Sequence, residues 1–114
     1  MRIKNNKYCN IKMWYKGIKF DSKKEMDRYK ELEWLESNDY ICYLELQKKF
    51  LLQEGYVNKK GKKIRPIYYI ADFYYFDITK GEWVVEDVKG IKTEVYKLKK
   101  KLFEYRYNLI INEL

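Results

Sequence analysis

Residues 69–89 read Tyr-Ile-Ala-Asp-Phe-Tyr-Tyr-Phe-Asp-Ile-Thr-Lys-Gly-Glu-Trp-Val-Val-Glu-Asp-Val-Lys. This stretch contains most of a β-prone run at 64–76, with Pro66 at its start or at an edge, and a second run at 83–89. A four-residue loop at 78–81, which ends in glycine, separates the two runs. We therefore predict two neighbouring antiparallel strands joined by a tight turn.

The length of this loop determines how the two strands face each other. It sets Asp77 opposite Glu82, and counting back from that pair places Asp72 opposite Asp87. Because side chains alternate along a strand, Asp87 and Lys89 point to the same face. The sequence thus predicts two carboxylates with Cβ atoms roughly 4.5–5.5 Å apart, beside a lysine.

Two negative charges at this separation repel, so either one carboxylate takes up a proton or a divalent cation bridges them. Mg²⁺ suits the second option, since it prefers oxygen ligands and keeps waters for substrate phosphates, and Mn²⁺ is the alternative ion. Lys89 would then hold a phosphate oxygen or the attacking water. The competing interpretation is a pair of solvated strand residues. Both aspartates lie within apolar runs, however, where a charge needs a partner.

A third carboxylate lies at the start of a predicted helix. Ser22 and Glu25 form a capping-box pattern, and apolar side chains follow at helical spacing at Met26, Tyr29, Leu32 and Leu35. At about 100° per residue, Glu25 falls inside this apolar stripe and points inward. Two interpretations stay open: a carboxylate of the site, or a helix cap that needs only a backbone partner. Glu36 lies on the same stripe, so an inward carboxylate is not unique to Glu25.

The remaining pattern completes one α/β (α+β) domain over residues 1–114. We predict a short hairpin turning at Lys16-Gly17, strands at 41–46 and 50–52, a basic loop at 54–63, a helix at 93–107 and a last strand at 109–111. Apolar side chains share one face of that second helix: Val95, Leu98, Leu102, Tyr105 and Leu109. The order α-β-β-β-α-β predicts a central mixed β-sheet flanked by helices.

The charge of the chain favours a polyanionic partner. It has 25 Lys+Arg against 17 Asp+Glu, a net charge of +8, and the basic residues concentrate in 1–24, 59–65 and 89–106. Each block also fits a solvated face in a lysine-rich proteome. The absence of histidine excludes histidine metal sites, histidine general bases and Ser–His or Cys–His catalysis. Any chemistry must therefore use carboxylates, lysine, tyrosine or a metal ion.

The two cysteines, Cys9 and Cys42, are too few for a zinc site and do not form a disulfide framework. They indicate free thiols in a reducing compartment. No apolar run approaches the ~18 residues of a membrane span. We therefore expect a cytoplasmic protein with no membrane partner.

At the residues of the predicted site, the sequence resembles the PD-(D/E)XK nuclease superfamily. Asp72 stands at the aspartate of the first motif, with Ala71 where proline is frequent, and residues 87–89 (Asp-Val-Lys) match the second motif. More closely, the chain resembles a family of small phage and prophage proteins of bacteria that is known as a domain of unknown function. That family is grouped with Holliday-junction-resolvase-like and transposon-endonuclease-like folds. The matching stretches cover nearly the whole chain: residues 17–25, 44–50, 69–73, 85–90 and 96–99.

This resemblance implies a restriction-endonuclease-like core and a role for each site residue. Asp72, Asp87 and Glu25 would be metal ligands. Lys89 would be the catalytic lysine, and Gln47 matches a glutamine found near such sites. From the cross-strand pairing we add the carbonyl of Val88 as a further metal ligand.

The same resemblance implies that the second helix faces DNA. We expect phosphate contacts from this helix and from the basic loop. The predicted contacts are Lys59, Lys60, Lys62, Lys63, Arg65, Lys92, Lys97, Lys99, Lys100 and Lys101.

Two functions follow as expectations. The first is a Mg²⁺-dependent endodeoxyribonuclease that acts on branched or recombining DNA of a phage or prophage in the bacterial cytoplasm. Junction cleavage would favour a homodimer, because two strands must be cut. The second is a non-catalytic nucleic-acid-binding protein that keeps a nuclease-like fold. The intact set of site residues argues against it.

Overall fold

The computed structural model describes residues 13–114, which form two helices, a four-stranded sheet and two short hairpins. The elements are β1 (Met13–Tyr15), β2 (Ile18–Phe20), α1 (Lys23–Ser37), β3 (Ile41–Gln53), β4 (Tyr56–Val57), β5 (Lys63–Ile64), β6 (Ile67–Asp77), β7 (Glu82–Asp87), α2 (Glu94–Tyr107) and β8 (Ile111–Glu113). The sheet has the order β3-β6-β7-β8, with β7 and β8 parallel and the other neighbours antiparallel. The predicted central mixed sheet and the order of its helices and strands are confirmed.

The N-terminal hairpin, β1 and β2, packs on α1. Lys16 and Gly17 have φ of 51° and 81°, so the predicted turn lies there, in the left-handed conformation that two-residue hairpins favour. Cys9 lies outside the described residues. Neither α1 nor α2 has the length and hydrophobicity that crossing a lipid bilayer requires.

The pairing of β6 with β7 has the predicted register. Its five pairs begin at Asp77↔Glu82 and end one step before Asp72 and Asp87. The Asp77 carboxylate caps the turn by accepting hydrogen bonds from two backbone N–H groups of the loop, at 3.0 and 3.1 Å. The two aspartates therefore lie side by side at the end of the ladder.

The helices cover opposite faces of the sheet. Val84 and Val85, which are neighbours on β7, point to different faces and pack in different clusters. The cluster against α1 is built on Leu32, Ile41, Phe73 and Tyr75. The cluster against α2 is built on Phe50, Leu52, Tyr69, Ala71, Val85, Tyr96, Phe103 and Ile111.

Strand β3 is one irregular strand, whereas the sequence predicted two strands at 41–46 and 50–52. Tyr43 and Gln47 have φ of 57° and 53°, a conformation that costs energy for residues other than glycine. Leu46 packs in the cluster against α1, but Phe50, four residues later, packs in the cluster against α2. A regular strand would keep both on one face, so β3 changes face between them, in the part that contains Gln47.

Four other boundaries differ from the sequence prediction. The basic loop at 54–63 contains β4 and the start of β5, which pair with each other. The run at 64–76 is interrupted at Pro66, which has no N–H to donate, and β6 begins at Ile67. Strand β7 ends at Asp87, two residues early, and β8 begins at Ile111, two residues late.

The face of α2 that packs on the sheet is not the predicted apolar stripe. The buried residues of this helix are Tyr96 and Phe103, with Tyr107 partly buried beside them. Four of the five predicted side chains are exposed instead: Val95, Leu98, Leu102 and Tyr105. Helix α2 therefore has two apolar faces, and aromatic residues form the one that packs.

A buried ion pair anchors α1 to β7. Glu86 is 2% exposed, and the Arg28 guanidinium donates to both of its carboxylate oxygens, at 2.8 and 2.6 Å. The Tyr75 hydroxyl also donates to Glu86. The hydrogen bond to Glu86 raises the pKa of Arg28, so this cation stays charged.

We expect Arg28→Met to lower the free energy of unfolding by about 3–5 kcal/mol, because it leaves the Glu86 carboxylate buried without its cation. The matched control is Glu31→Gln, which breaks the other, exposed ion pair of Arg28 and should cost under ~1 kcal/mol. Urea denaturation measures both variants. Equal costs would show that the buried pair does not anchor the helix.

Candidate functional site

A cleft of ≈470 Å³ opens where the start of α1 meets the middle of β3, the middle of β6 and the end of β7. The structure brings every residue predicted for catalysis or metal binding to this cleft. Its lining consists of Asp21, Ser22, Lys24, Glu25, Gln47, Ile70, Asp72, Asp87, Val88, Lys89 and Gly90. The cleft is polar and charged, in contrast to the two aromatic and aliphatic clusters of the core.

The backbone and the side chain of Glu25 have different partners in the structure. Its backbone N–H donates to Ser22 Oγ at 3.1 Å, so Ser22 caps the first turn of α1. Its side chain is on the cleft, where Glu25 Oε2 accepts a hydrogen bond from Gln47 Nε2 at 3.4 Å. The residue is 7% exposed. The helix start thus delivers an inward carboxylate to the site.

Asp72 connects three elements of the site. Gln47, one of two left-handed residues of β3, donates its amide to Asp72 Oδ1 at 3.2 Å and also reaches Glu25. The backbone N–H of Val88, just past the end of β7, donates to Asp72 Oδ2 at 2.7 Å. The residue with this positive φ is therefore also the one whose amide bridges two carboxylates. Backbone strain of this kind is frequent at functional sites.

Asp87 is held from the core side and reaches the cleft. It is 1% exposed, and the Tyr69 hydroxyl donates to its Oδ2 at 2.7 Å. Burial and this hydrogen bond raise the pKa of Tyr69, so the hydroxyl keeps its proton. Lys89 Nζ lies 3.5 Å from Asp87 Oδ1 and 4.5 Å from the centre of the Tyr96 ring. The lysine is thus positioned by a carboxylate and an aromatic ring.

Burial, together with the charges of neighbouring acids, raises the pKa values of Glu25 and Asp87. Burial raises the pKa of Glu25 to about 7, and the charges of Asp72, Asp21 and Asp87 add to this effect. Burial also raises the pKa of Asp87 to about 6, with a further contribution from its hydrogen bond and charge interaction with Asp72. Tyr69 and Lys89 oppose that second shift. Without a cation, the cleft carries more negative charge than its neighbours neutralise.

The donor atoms of the cleft fit a hard divalent cation. Asp72 accepts one hydrogen bond at each oxygen and Asp87 accepts one at Oδ2, so each oxygen keeps a lone pair for a ligand bond. Carboxylate oxygens are the ligands that Mg²⁺ prefers. Over residues 13–114, no three such groups already converge as a metal-binding group. Asp72, Asp87 and Glu25 are the residues of the cleft that could hold such an ion.

The basic loop residues lie on the β4–β5 hairpin, away from the cleft. Lys59 and Lys60 are exposed at its tip, where the Asn58 side chain accepts hydrogen bonds from the tip's backbone N–H groups. The hairpin follows the end of the β3–β6 ladder at Ile67, which is five residues, or about 17 Å, from Asp72. A polyanion in the cleft would have to extend this far to contact the hairpin.

The lysines around α2 divide into two groups. Three form ion pairs: Lys97 with Glu94 at 3.1 Å, and Lys92 and Lys100 with Glu113 at 3.3 and 3.4 Å. Within the described part of the chain, Lys99 and Lys101 form no ion pair. The predicted basic surface on this helix is therefore partly neutralised by its own acids.

Sequence reasoning missed the residues that support the site. Tyr69 and Tyr96 position Asp87 and Lys89, but nothing in the spacing distinguishes them among 13 tyrosines. The buried Glu86 was more visible, since it is a second acid in the same apolar run as Asp87. Its partner Arg28 lies 58 residues away on α1, which is too far in sequence for a local pattern to reveal the pair.

Comparison with known proteins identifies a family but no activity. A family model described as "Protein of unknown function (DUF1064)" matches residues 5–113. Neither a curated protein nor a solved structure matches the chain. The function must therefore be inferred from the site.

We expect the metal-free protein to lose stability as the pH rises from about 4.5 to about 7. The folded-state pKa of Glu25 lies above its ordinary value of 4.5, so the folded state binds more protons in this range. Glu25→Gln removes the titrating group and should flatten the decline. Denaturation in the presence of chelator, at about pH 5 and about pH 8, measures this change in the free energy of unfolding.

Glu33→Gln is the matched control for this titration. Its carboxylate is half-buried on the same helix, and hydrogen bonds from Tyr15 and Lys16 lower its pKa. It is largely ionised in both the folded and unfolded states above about pH 5, so its loss should leave the slope unchanged. A slope that Glu25→Gln does not alter would place the titration elsewhere.

Proposed function

The chain belongs to the DUF1064 family, and from the geometry of its cleft we propose that it is a metal-dependent DNA endonuclease, which hydrolyses phosphodiester bonds. The observation that carries this proposal is the carboxylate cluster beside Lys89. Two of its acids have raised pKa values, and perturbed titratable groups in a cleft are candidates for a catalytic site. The arrangement also follows the two motifs that resemble the PD-(D/E)XK nucleases.

Each site residue has a role in this proposal. Asp72, Asp87 and Glu25 would hold Mg²⁺ or Mn²⁺, with the carbonyl of Val88 as a further ligand. The bound ion would supply stabilisation of the negative charge that develops on the attacked phosphate. Gln47 keeps two of the carboxylates together through its amide.

Lys89 would contact the substrate directly. Its ammonium group lies at the cleft, close enough to Asp87 to be oriented by it. There it can donate to a phosphate oxygen or to the attacking water, and stabilise charge in the transition state. The ring of Tyr96 limits the positions open to the lysine side chain.

The substrate that we propose is branched or recombining DNA of a phage or prophage, within the cytoplasm of a bacterial host. The net charge of +8 supports a polyanionic substrate. The exposed lysines of the β4–β5 hairpin, whose base at Ile67 is about 17 Å from Asp72, would contact phosphates beyond the cleaved bond. The branched structure rests on the resemblance to resolvase-like proteins alone.

One observation favours a non-catalytic DNA-binding protein as the second candidate. Both oxygens of Asp72 already accept hydrogen bonds, and Asp87 is paired with Tyr69 and Lys89. The cluster therefore has protein partners without a metal. Under this alternative the cleft would bind phosphate through Lys89 and would not respond to Mg²⁺.

Asp87→Asn and Lys89→Ala should each reduce cleavage of DNA by about 10²-fold or more while largely retaining DNA binding. The first removes a metal-binding charge at nearly constant volume. The second leaves all three carboxylates, so calorimetry should still detect Mn²⁺ binding. Asp39→Asn and Lys80→Ala, on exposed turns, are the matched controls and should cleave at the wild-type rate.

Cleavage should be assayed on linear, nicked, flap and four-way DNA, with Mg²⁺, with Mn²⁺ and with chelator. Wild-type protein that binds these DNAs but cuts none of them would contradict the nuclease proposal and favour the non-catalytic candidate. Cleavage that survives Asp87→Asn would place the active site elsewhere.

Replacing Lys59 and Lys60 together by Gln should weaken DNA binding for all sequences alike. Each phosphate contact releases about one counterion from the DNA when the protein binds. The slope of log Kd against log salt should therefore fall by about 1 for each contact that is lost. Fluorescence anisotropy at several salt concentrations measures both effects. Lys80→Gln is the control and should leave the slope unchanged. If the double variant behaves like this control, the hairpin does not contact DNA.

A further inference from the structure

Helix α2 exposes an apolar stripe on the side that faces away from the sheet. Val95, Leu98, Leu102 and Tyr105 are 64%, 59%, 39% and 91% exposed. At about 100° per residue these four side chains fall within roughly 80° of helix circumference. The residues that pack on the sheet, led by Phe103, lie on the other side of the helix. The sheet therefore leaves this stripe without an intramolecular partner among the described residues.

The spacing of the stripe is that of a coiled-coil seam. Its residues follow each other at intervals of three, four and three, which are the a and d positions of a heptad. A helix that only covers its own core has a wider apolar face than this. Ile91, just before the helix, is also 84% exposed. The pattern indicates a narrow seam for packing against another helix.

We propose that this seam binds the seam of a second copy of the chain, so that α2 and its counterpart form the interface of a homodimer. The four side chains of the stripe together expose roughly 500 Å² of surface, more than half of the ~800 Å² per partner of a stable interface. A patch of this size is at the upper limit for a monomer. The neighbouring stems of charged side chains would supply the remainder.

The seam is complementary to itself in an antiparallel arrangement. A two-fold axis near residue 100 sets Val95 against the Tyr105 of the second copy, and Leu98 against its Leu102. A small side chain thus faces a large one, and a leucine faces a leucine. These pairs keep the spacing between the two helices even, as an isologous interface requires.

The charges beside the seam differ between its two sides. Glu94 and Lys101, of opposite sign, border one side of the stripe, whereas Lys99 and Arg106 border the other. An anionic membrane surface would require a uniformly basic border, and Glu94 is exposed on the first side. The opposite charges on that side therefore favour a second copy over a membrane.

This inference goes beyond the proposed function and does not rest on it, because oligomeric state is measured without DNA or metal. Sedimentation of the full chain should show a species of twice the 14.2 kDa chain mass whose population rises with concentration. Leu98→Glu should shift the protein to monomer by placing a charge in the seam.

The control is Val57→Glu, which changes an equally exposed apolar residue on the β4–β5 hairpin. This variant should remain dimeric. Circular dichroism checks that each variant folds. Leu98→Ala, which keeps the helix intact, should weaken the dimer by about 10-fold or more. A wild-type monomer at about 100 μM would overturn the proposal and leave the seam to a different partner. A dimer that survives both Leu98 variants would overturn it in favour of another surface.

Discussion

The antiparallel register between β6 and β7 is the constraint on which the candidate site depends. A short turn capped by Asp77 joins these strands, and a slip by one residue would turn every side chain of one strand to the opposite face. The register brings Asp72 to the backbone N–H of Val88 and sets Asp87 beside it. Glu25 then reaches this pair from α1, so the cleft forms as a consequence of strand pairing.

Adjacent residues of β7 serve the two faces of the sheet. Glu86 binds Arg28 on the side of α1, whereas Asp87 enters the cleft. Because Arg28 lies one helical turn after Glu25, the buried ion pair fixes the part of α1 that carries the site glutamate. The fold thus holds close together acids whose pKa values are raised, an arrangement that costs stability unless protons or a cation compensate it.

The sequence predicted those features that depend on local counting. Loop length and strand alternation were enough for the pairing of Asp72 with Asp87, and helical spacing was enough for the inward direction of Glu25. Tertiary contacts decided the rest. The left-handed Gln47 breaks the alternation on which strand prediction relies, and it lies opposite Asp72 in the register. Helix α2 has two apolar faces, so periodicity alone could not select the aromatic face that packs around Phe103.

Anomalous diffraction from crystals soaked in Mn²⁺ tests whether the cleft binds a divalent cation between its carboxylates. We expect an anomalous peak within ligand distance of Asp72 and Asp87, with Glu25 turned toward it. The peak should be absent from Asp87→Asn crystals soaked in the same way. No peak in the cleft at a saturating Mn²⁺ concentration, or a peak that Asp87→Asn retains, would show that these carboxylates do not form a metal site.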